Sequence, residues 1–288
     1  MQTPKLFTLL PEEYVATPDG MTIDRDGNLI LSCPNFANME LPSCILKITK
    51  EKQISKWFDV PVNPETGEAR SMGLEFGPDG DLYIVDNAGW TGRPDLIRTG
   101  RILRVHFNEH GEYESCSVVA DHMEHPNGLR IRGDYIYVTQ STLELVETKS
   151  GKLMSCVYCF HLDDHDVHCT NTLADENILC TFITENPKCQ YGVDGIIFDR
   201  EGRLIIGNFG DGSIWRLTLS ADGSKMIDKE LWCVNTDQLL TTDGMTMDDH
   251  GNIYVADFSA NAIGKISPEG VITRIAQSPD CIGWEGGL

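Results

Sequence analysis

The strongest constraint on this chain is a phrase it repeats. Val193-Asp194-Gly195-Ile196-Ile197-Phe198 is followed by a polar turn at 199–202 and then by Leu204-Ile205-Ile206-Gly207-Asn208. Two short runs of β-type residues joined by a Gly-containing turn predict a hairpin. Asp19-Gly20-Met21-Thr22-Ile23-Asp24, leading to Leu29-Ile30-Leu31, follows the phrase nearly residue for residue. So does Asp243-Gly244-Met245-Thr246-Met247-Asp248, leading to Ile253-Tyr254-Val255-Ala256-Asp257. Looser copies open at Met72-Gly73-Leu74 and at Asn127-Gly128-Leu129.

The glycines of the phrase are 53, 55, 67 and 49 residues apart. Periods near about 40–50 residues with four short strands per unit are the signature of a β-propeller. The first interval offers strand-like runs at 21–24, 28–32, 44–49 and 53–59, the fourth at 195–198, 203–207, 213–219 and 229–234. Sustained helical periodicity is absent. The expectation is an all-β, six-bladed β-propeller forming one domain over residues 1–288, five blades complete and the sixth truncated. Residues 5–10 are expected to be an outer strand completing the last blade. Trp284-Glu285-Gly286-Gly287-Leu288 reads as the opening of a sixth copy. An open propeller would leave strand edges unpaired, so further sequence beyond Leu288 is expected. Extra segments fall at 87–100 and around 140–176. Long loops in a tight repeat array bind ligands or stay disordered, and the first is expected to act as a lid.

A formal charge of −21 argues against a nucleic acid or another polyanion as partner. No apolar run approaches the ~20 residues that span a bilayer, and Met1-Gln2-Thr3-Pro4-Lys5 lacks the pattern of a signal peptide. The ten cysteines are therefore expected to stay reduced in a cytoplasmic protein.

Residues just before the repeated glycines are Asp19, Met72, Asn127, Asp194 and Asp243. In a propeller the first strand of each blade lines the central channel, so these positions recur at one height. Four are oxygen donors, the ligand type of a hard cation such as Ca²⁺ or Mg²⁺. A cation would also relieve the repulsion among three carboxylates. A turn acid before glycine is equally ordinary on structural grounds. The ends of second strands carry Asp86, Asn87, Asn208 and Asp257. These groups either orient ligands and contact substrate or cap turns.

In register, His125-Pro126-Asn127-Gly128-Leu129, Val193-Asp194-Gly195-Ile196 and Thr242-Asp243-Gly244-Met245-Thr246-Met247-Asp248 make the chain resemble the gluconolactonase / senescence-marker-protein (regucalcin) family of six-bladed propellers. The resemblance runs over essentially the whole chain. It implies one divalent cation in the channel, with Asp19, Asn127, Asp194 and Asp243 as metal ligands. Ca²⁺ is the first expectation, with Mg²⁺, Mn²⁺ and Zn²⁺ also open. The family's first-blade ligand is Glu where this chain has Asp19, and its fourth-blade ligand is Asn where this chain has Asp194. A register shifted by one blade would call on Glu285 in place of Asp19.

The resemblance further implies hydrolysis of a sugar lactone or similar cyclic ester, a small-molecule substrate. The metal would polarise the carbonyl and acidify a bound water, and Asp243 or Asp194 would act as catalytic base. Asn87, Arg93, Arg98, Arg101, Asn208 and Asp257 are the candidate substrate-binding residues. Phosphotriester hydrolysis or isomerisation on the same metal is an alternative, as is a non-catalytic propeller binding a small molecule, Ca²⁺ or a partner protein. Cys156-Val157-Tyr158-Cys159 lies in a strand-like run, where residues three apart face opposite ways, and is set aside as a metal or redox motif. The ligand-rich stretch from His161 to Cys169 is expected to be a solvated loop. Gly-x-Ser-x-Gly and phosphate-binding glycine loops are absent.

Overall fold

A computed structural model of the chain describes residues 5–189 and 191–278. These residues fall into two compact units: a first of residues 7–137 with 160–171, and a second of residues 5–6, 138–159 and those from 172 on. Regular structure is almost entirely β.

Blade one is β1 (Met21–Ile23), β2 (Leu29–Cys33), β3 (Cys44–Ile48) and β4 (Ile54–Asp59), paired in chain order. Blade two runs β5 (Ser71–Phe76), β6 (Leu82–Asp86), β7 (Gly100–Phe107) and β8 (Tyr113–Met123). Blade three takes β9 (Pro126–Arg132), β10 (Tyr135–Gln140), β11 (Met154–His161) and, after the short β12 (Val167–His168), β13 (Ile178–Ile183). Blade four is β14 (Val193–Phe198), β15 (Leu204–Asn208), β16 (Ser213–Leu219) and β17 (Met226–Val234). Blade five is β18 (Met245–Met247), β19 (Ile253–Asp257), β20 (Ala262–Ile266) and β21 (Ile272–Gln277).

The hairpin of the repeated phrase forms for a local reason. Asp24 Oδ1 accepts from the N–H groups of Asp26 (3.0 Å) and Asn28 (2.8 Å). Asp248 does the same for His250 and Asn252, both at 2.9 Å. Asp199 Oδ1 accepts from Arg203 N–H at 2.8 Å. Each turn then reverses through a glycine at positive φ, 79° at Gly27, 78° at Gly202 and 80° at Gly251, which a side chain would strain. Alternation along the strands buries Ile30, Ile45, Leu74, Ile84 and Leu103 in one core of the first unit. Ile205, Ile214, Met245, Val255 and Ile266 form a core of the second.

The expected six-bladed propeller with a truncated sixth blade is corrected to a propeller-type fold of five blades among the described residues. Blade five is built from four strands of its own, β18 to β21, and takes none from the N-terminus. Residues 5–10 form no strand, and Leu6, Phe7 and Leu9 are exposed. The physical reason lies just downstream: Leu10, Tyr14 and Val15 pack onto the face of blade one made by Leu31, Cys33, Cys44 and Leu46. That apolar face draws the segment across a sheet surface instead of along an edge. Residues 284–288, read as the start of a sixth copy, and Glu285 with them, lie outside the described residues.

The 87–100 segment folds into two single turns of 3-10 helix, Ala88–Thr91 and Pro94–Leu96. Asn87 Oδ1 caps the first by accepting from Trp90 N–H at 3.2 Å, and Leu96 is fully buried beneath the second. The stretch expected to be a solvated loop instead supplies β12, which pairs in parallel with the outer strand of blade two, Val167 opposite Ala120 and His168 opposite Asp121. None of the nine described cysteines is disulfide-bonded. No helix among the described residues is long and apolar enough to cross a membrane.

Candidate functional site

First strands of successive blades touch, and the repeated glycine is what lets them. In the first unit β1 lies against β5, and β5 against β9. A Cβ on Gly20 would stand 2.5 Å from the Met72 carbonyl oxygen, and one on Gly73 would stand 2.6 Å from that of Asn127. In the second unit β14 touches β18, and a Cβ on Gly195 would come 2.2 Å from the carbonyl oxygen of Asp243. Hydroxyls of second strands pin the same points. Ser32 Oγ donates to the Met72 carbonyl at 2.6 Å, and Thr139 Oγ1 donates to that of Asp194 at 2.5 Å.

Asp194, in β14, and Asp243, two residues before β18, therefore sit in the second unit on segments in direct contact. Asp194 is buried. Its neighbour Val193 is held on both sides, by Ser141 Oγ donating to its carbonyl (3.0 Å) and by its own N–H donating to Ser155 Oγ (3.1 Å). The backbone N–H of Asp243 donates to the Ala256 carbonyl at 3.0 Å. Its carboxyl accepts from Gly244 N–H at 2.7 Å. Asp243 is half-buried. Burial pushes that carboxyl above the usual carboxylate range, and the Gly244 hydrogen bond only partly offsets it. Two carboxylates on touching segments are oxygen donors of the type a divalent cation takes, and its charge would stabilise their ionised forms. The donor chemistry fits such an ion.

Asp19 and Asn127 belong to the first unit. Asp19 is exposed and its backbone N–H donates to the Ser32 carbonyl at 2.9 Å. Asn127 is half-buried in β9. Asp19 precedes β1 and Asn127 lies in β9, and β5, which carries the buried Met72, touches both β1 and β9.

Sequence reasoning passed over a charged pair on these same strands. Two residues past the repeated glycine, β5 carries Glu75 and β9 carries Arg130, with Nε 3.5 Å from Oε2. Burial raises the Glu75 carboxyl, which Arg130 partly reverses, and burial lowers the Arg130 guanidinium, which Glu75 partly reverses. The signal was the register: an acid and a base at equivalent positions of two copies of one phrase.

Ends of second strands do a different job from the one first strands do. Asp257, buried, accepts from the N–H groups of Leu240 (2.8 Å) and Thr241 (3.1 Å) and from Thr241 Oγ1 (3.1 Å). Asp86 Oδ1 accepts from Arg70 N–H at 2.7 Å, and Asn35 Oδ1 accepts from Ala16 N–H at 2.8 Å. In each case the side chain satisfies the backbone of the segment that leads into its own blade. Asn208 is fully buried, accepts from Thr184 Oγ1 at 3.0 Å and donates to the Ile183 carbonyl at 3.1 Å. Arg101 is buried against Asp86, Nε at 3.0 Å and Nη2 at 2.5 Å from Oδ2, and Nη2 also donates to the Pro61 carbonyl at 3.0 Å. Arg93 is exposed and engages Asp95 and Glu68, while Arg98 is exposed at 4.0 Å from the buried Glu124. In these placements Arg101, Asn87, Asn208 and Asp257 each hydrogen-bond to the backbone of a neighbouring segment.

Residues 211–283 match the family model described as SMP-30/Gluconolactonase/LRE-like region. The resemblance to that family holds. The matched stretch contains Asp243 and all four strands of blade five. No curated protein matches the chain. Among solved structures, a gluconolactonase from Xanthomonas campestris is similar at 13% identity and a TM-score of 0.57, over 92% of this chain and 77% of that one. A calcium-binding protein, regucalcin, from Agrobacterium tumefaciens gives 11% identity and 0.55, over 92% and 75%. A virginiamycin B lyase from Staphylococcus aureus gives 14% and 0.52, over 90% and 84%. At such identities the likeness shows a shared fold, and fold alone does not assign chemistry.

Proposed function

We propose that the chain is a divalent-metal-dependent hydrolase of a sugar lactone or similar cyclic ester, with Asp194 and Asp243 as its central carboxylates. The observation that carries this reading is the backbone contact between Asp243, just before β18, and Gly195, next to Asp194 in β14: two acids on touching segments, Asp243 inside the stretch that matches the family model. Both acids would hold the ion, Ca²⁺ in the first instance because the donors are oxygens, with Mg²⁺, Mn²⁺ and Zn²⁺ for comparison. When bound, such an ion supplies Lewis acidity toward a carbonyl and lowers the pKa of water. Asp243 or Asp194 would take a proton from a water attacking the ester carbon. The backbone at Asp194 is held by Thr139 at its own carbonyl and by Ser141 and Ser155 at Val193, which would keep the second carboxylate in place.

The named gluconolactonase among the solved structures supports a small-molecule lactone as substrate. A named lyase has the same fold, so the assay must identify the product as well as the rate. The test is hydrolysis of a panel of sugar lactones, followed with a pH indicator, after titration with each cation. Asp194→Ala is expected to lower turnover by about 100-fold or more while the β-sheet circular dichroism is kept. Unchanged turnover would refute the assignment. Metal uptake with no turnover of any lactone would favour a non-catalytic binding protein.

A further inference from the structure

On the outer edge of blade two, Asp121 Oδ1 lies 2.6 Å from His122 Nδ1 and 2.5 Å from His168 Nδ1. Donor atoms of all three residues lie within 4.8 Å of one another. The gathering is built by backbone, since β12 pairs with β8 so that His168 stands opposite Asp121. His122 adopts a positive φ of 59°, which turns it out of the strand beside Asp121. Two further hydrogen bonds hold the returning chain there: Cys169 N–H to the Asp121 carbonyl at 3.0 Å, and Asn171 Nδ2 to the His122 carbonyl at 2.7 Å. The two imidazoles meet edge to face at 5.0 Å between centroids.

We propose that Asp121, His122 and His168 form a metal site of their own, for Zn²⁺ or an ion of the same class such as Cu²⁺ or Ni²⁺. Two imidazole nitrogens and one carboxylate oxygen are the donor set of borderline transition metals and not of Ca²⁺ or Mg²⁺. Tetrahedral Zn²⁺ with bonds near ~2.1 Å needs its ligand atoms about 3.4 Å apart. From the present separations each histidine would move by less than about 1 Å, and both rings are more than half exposed and able to do so. The fourth position would face solvent and take water. The ion would tie His168 to Asp121 and His122 across a separation of 47 residues, fastening the 160–171 excursion to the edge strand it covers. This site shares no residue with the carboxylates of the proposed hydrolase.

The test is calorimetric titration of the full chain with ZnCl₂ in excess CaCl₂, wild type against His122→Ala/His168→Ala, with Co²⁺ absorbance as a second probe of the nitrogen–oxygen set. The wild type is expected to take up one more equivalent of Zn²⁺ than the double variant. Bound Zn²⁺ should also slow amide exchange of residues 160–171 in the wild type only. His122→Gln, which leaves the β8–β12 pairing untouched, should weaken the same uptake by about 100-fold or more. Equal Zn²⁺ uptake by wild type and His122→Gln, or protection of 160–171 that persists without the histidines, would overturn the proposal.

Discussion

The carbonyl oxygen of Asp243 occupies the space that a side chain on Gly195 would need, 2.2 Å from where its Cβ would stand. The contact is backbone against backbone, so nothing flexible can yield. Gly195→Ala should force β14 from β18 and cost about 3 kcal/mol or more. Gly244 holds the equivalent place in the last copy of the phrase and has nothing within 4 Å of its would-be Cβ. Gly244→Ala should stay within about 1 kcal/mol of wild type. Urea midpoints of the two variants check the contrast, and equal destabilisation would show that glycine is wanted there for another reason.

Asp86 and Arg101 should behave as a unit. Both are at most 5% exposed and they share two hydrogen bonds. Arg101→Met strands a buried carboxyl whose desolvation already raises it above the usual range. The expected cost is about 3–5 kcal/mol. Asp86→Asn/Arg101→Met should cost less than the two single changes added together. A strictly additive cycle in chemical denaturation would exclude the coupling.

Acid should act on the turn of blade one through Asp24. Burial opposes ionisation there, but hydrogen bonds from Asn28 and Lys47 outweigh it and hold the carboxyl at about 2. A depressed folded-state value means that the ionised carboxyl stabilises the fold fully above its unfolded value of about 3.9. That stability is lost as pH falls through about 2. Asp24→Asn should therefore be less stable than wild type at pH 6, with the gap closing as pH falls from about 4 toward 2. Thermal unfolding at stepped pH measures it, and a gap independent of pH would contradict the linkage.

Chelation gives a further expectation. Treatment with EDTA should abolish lactone turnover, and Ca²⁺ should restore it in the wild type but not in Asp243→Ala. Restoration in Asp243→Ala would remove that residue from the proposed ion site.

What the sequence determined by itself was whatever depends on neighbours along the chain. Asp24, Asp199 and Asp248 make their turns from residues at most four away, so the hairpins and most strand spans were legible. The repeated glycine was legible too, although its reason, the backbone of the next blade, was not. Only tertiary structure decided matters that rest on what arrives from elsewhere. Residues 5–10 carry strand-forming side chains, yet the apolar face of blade one captures residues 10–15 and no strand forms. In sequence Asp257 and Asp86 read either as groups that orient ligands and contact substrate or as turn caps, and only the fold shows that N–H groups of the preceding segment donate to them. His168 looked solvated, and a two-residue parallel pairing brings it from 47 positions away onto Asp121. Local hydrogen bonds are written in local sequence. The partner of a buried polar group is chosen by which distant segment the folded chain delivers to it.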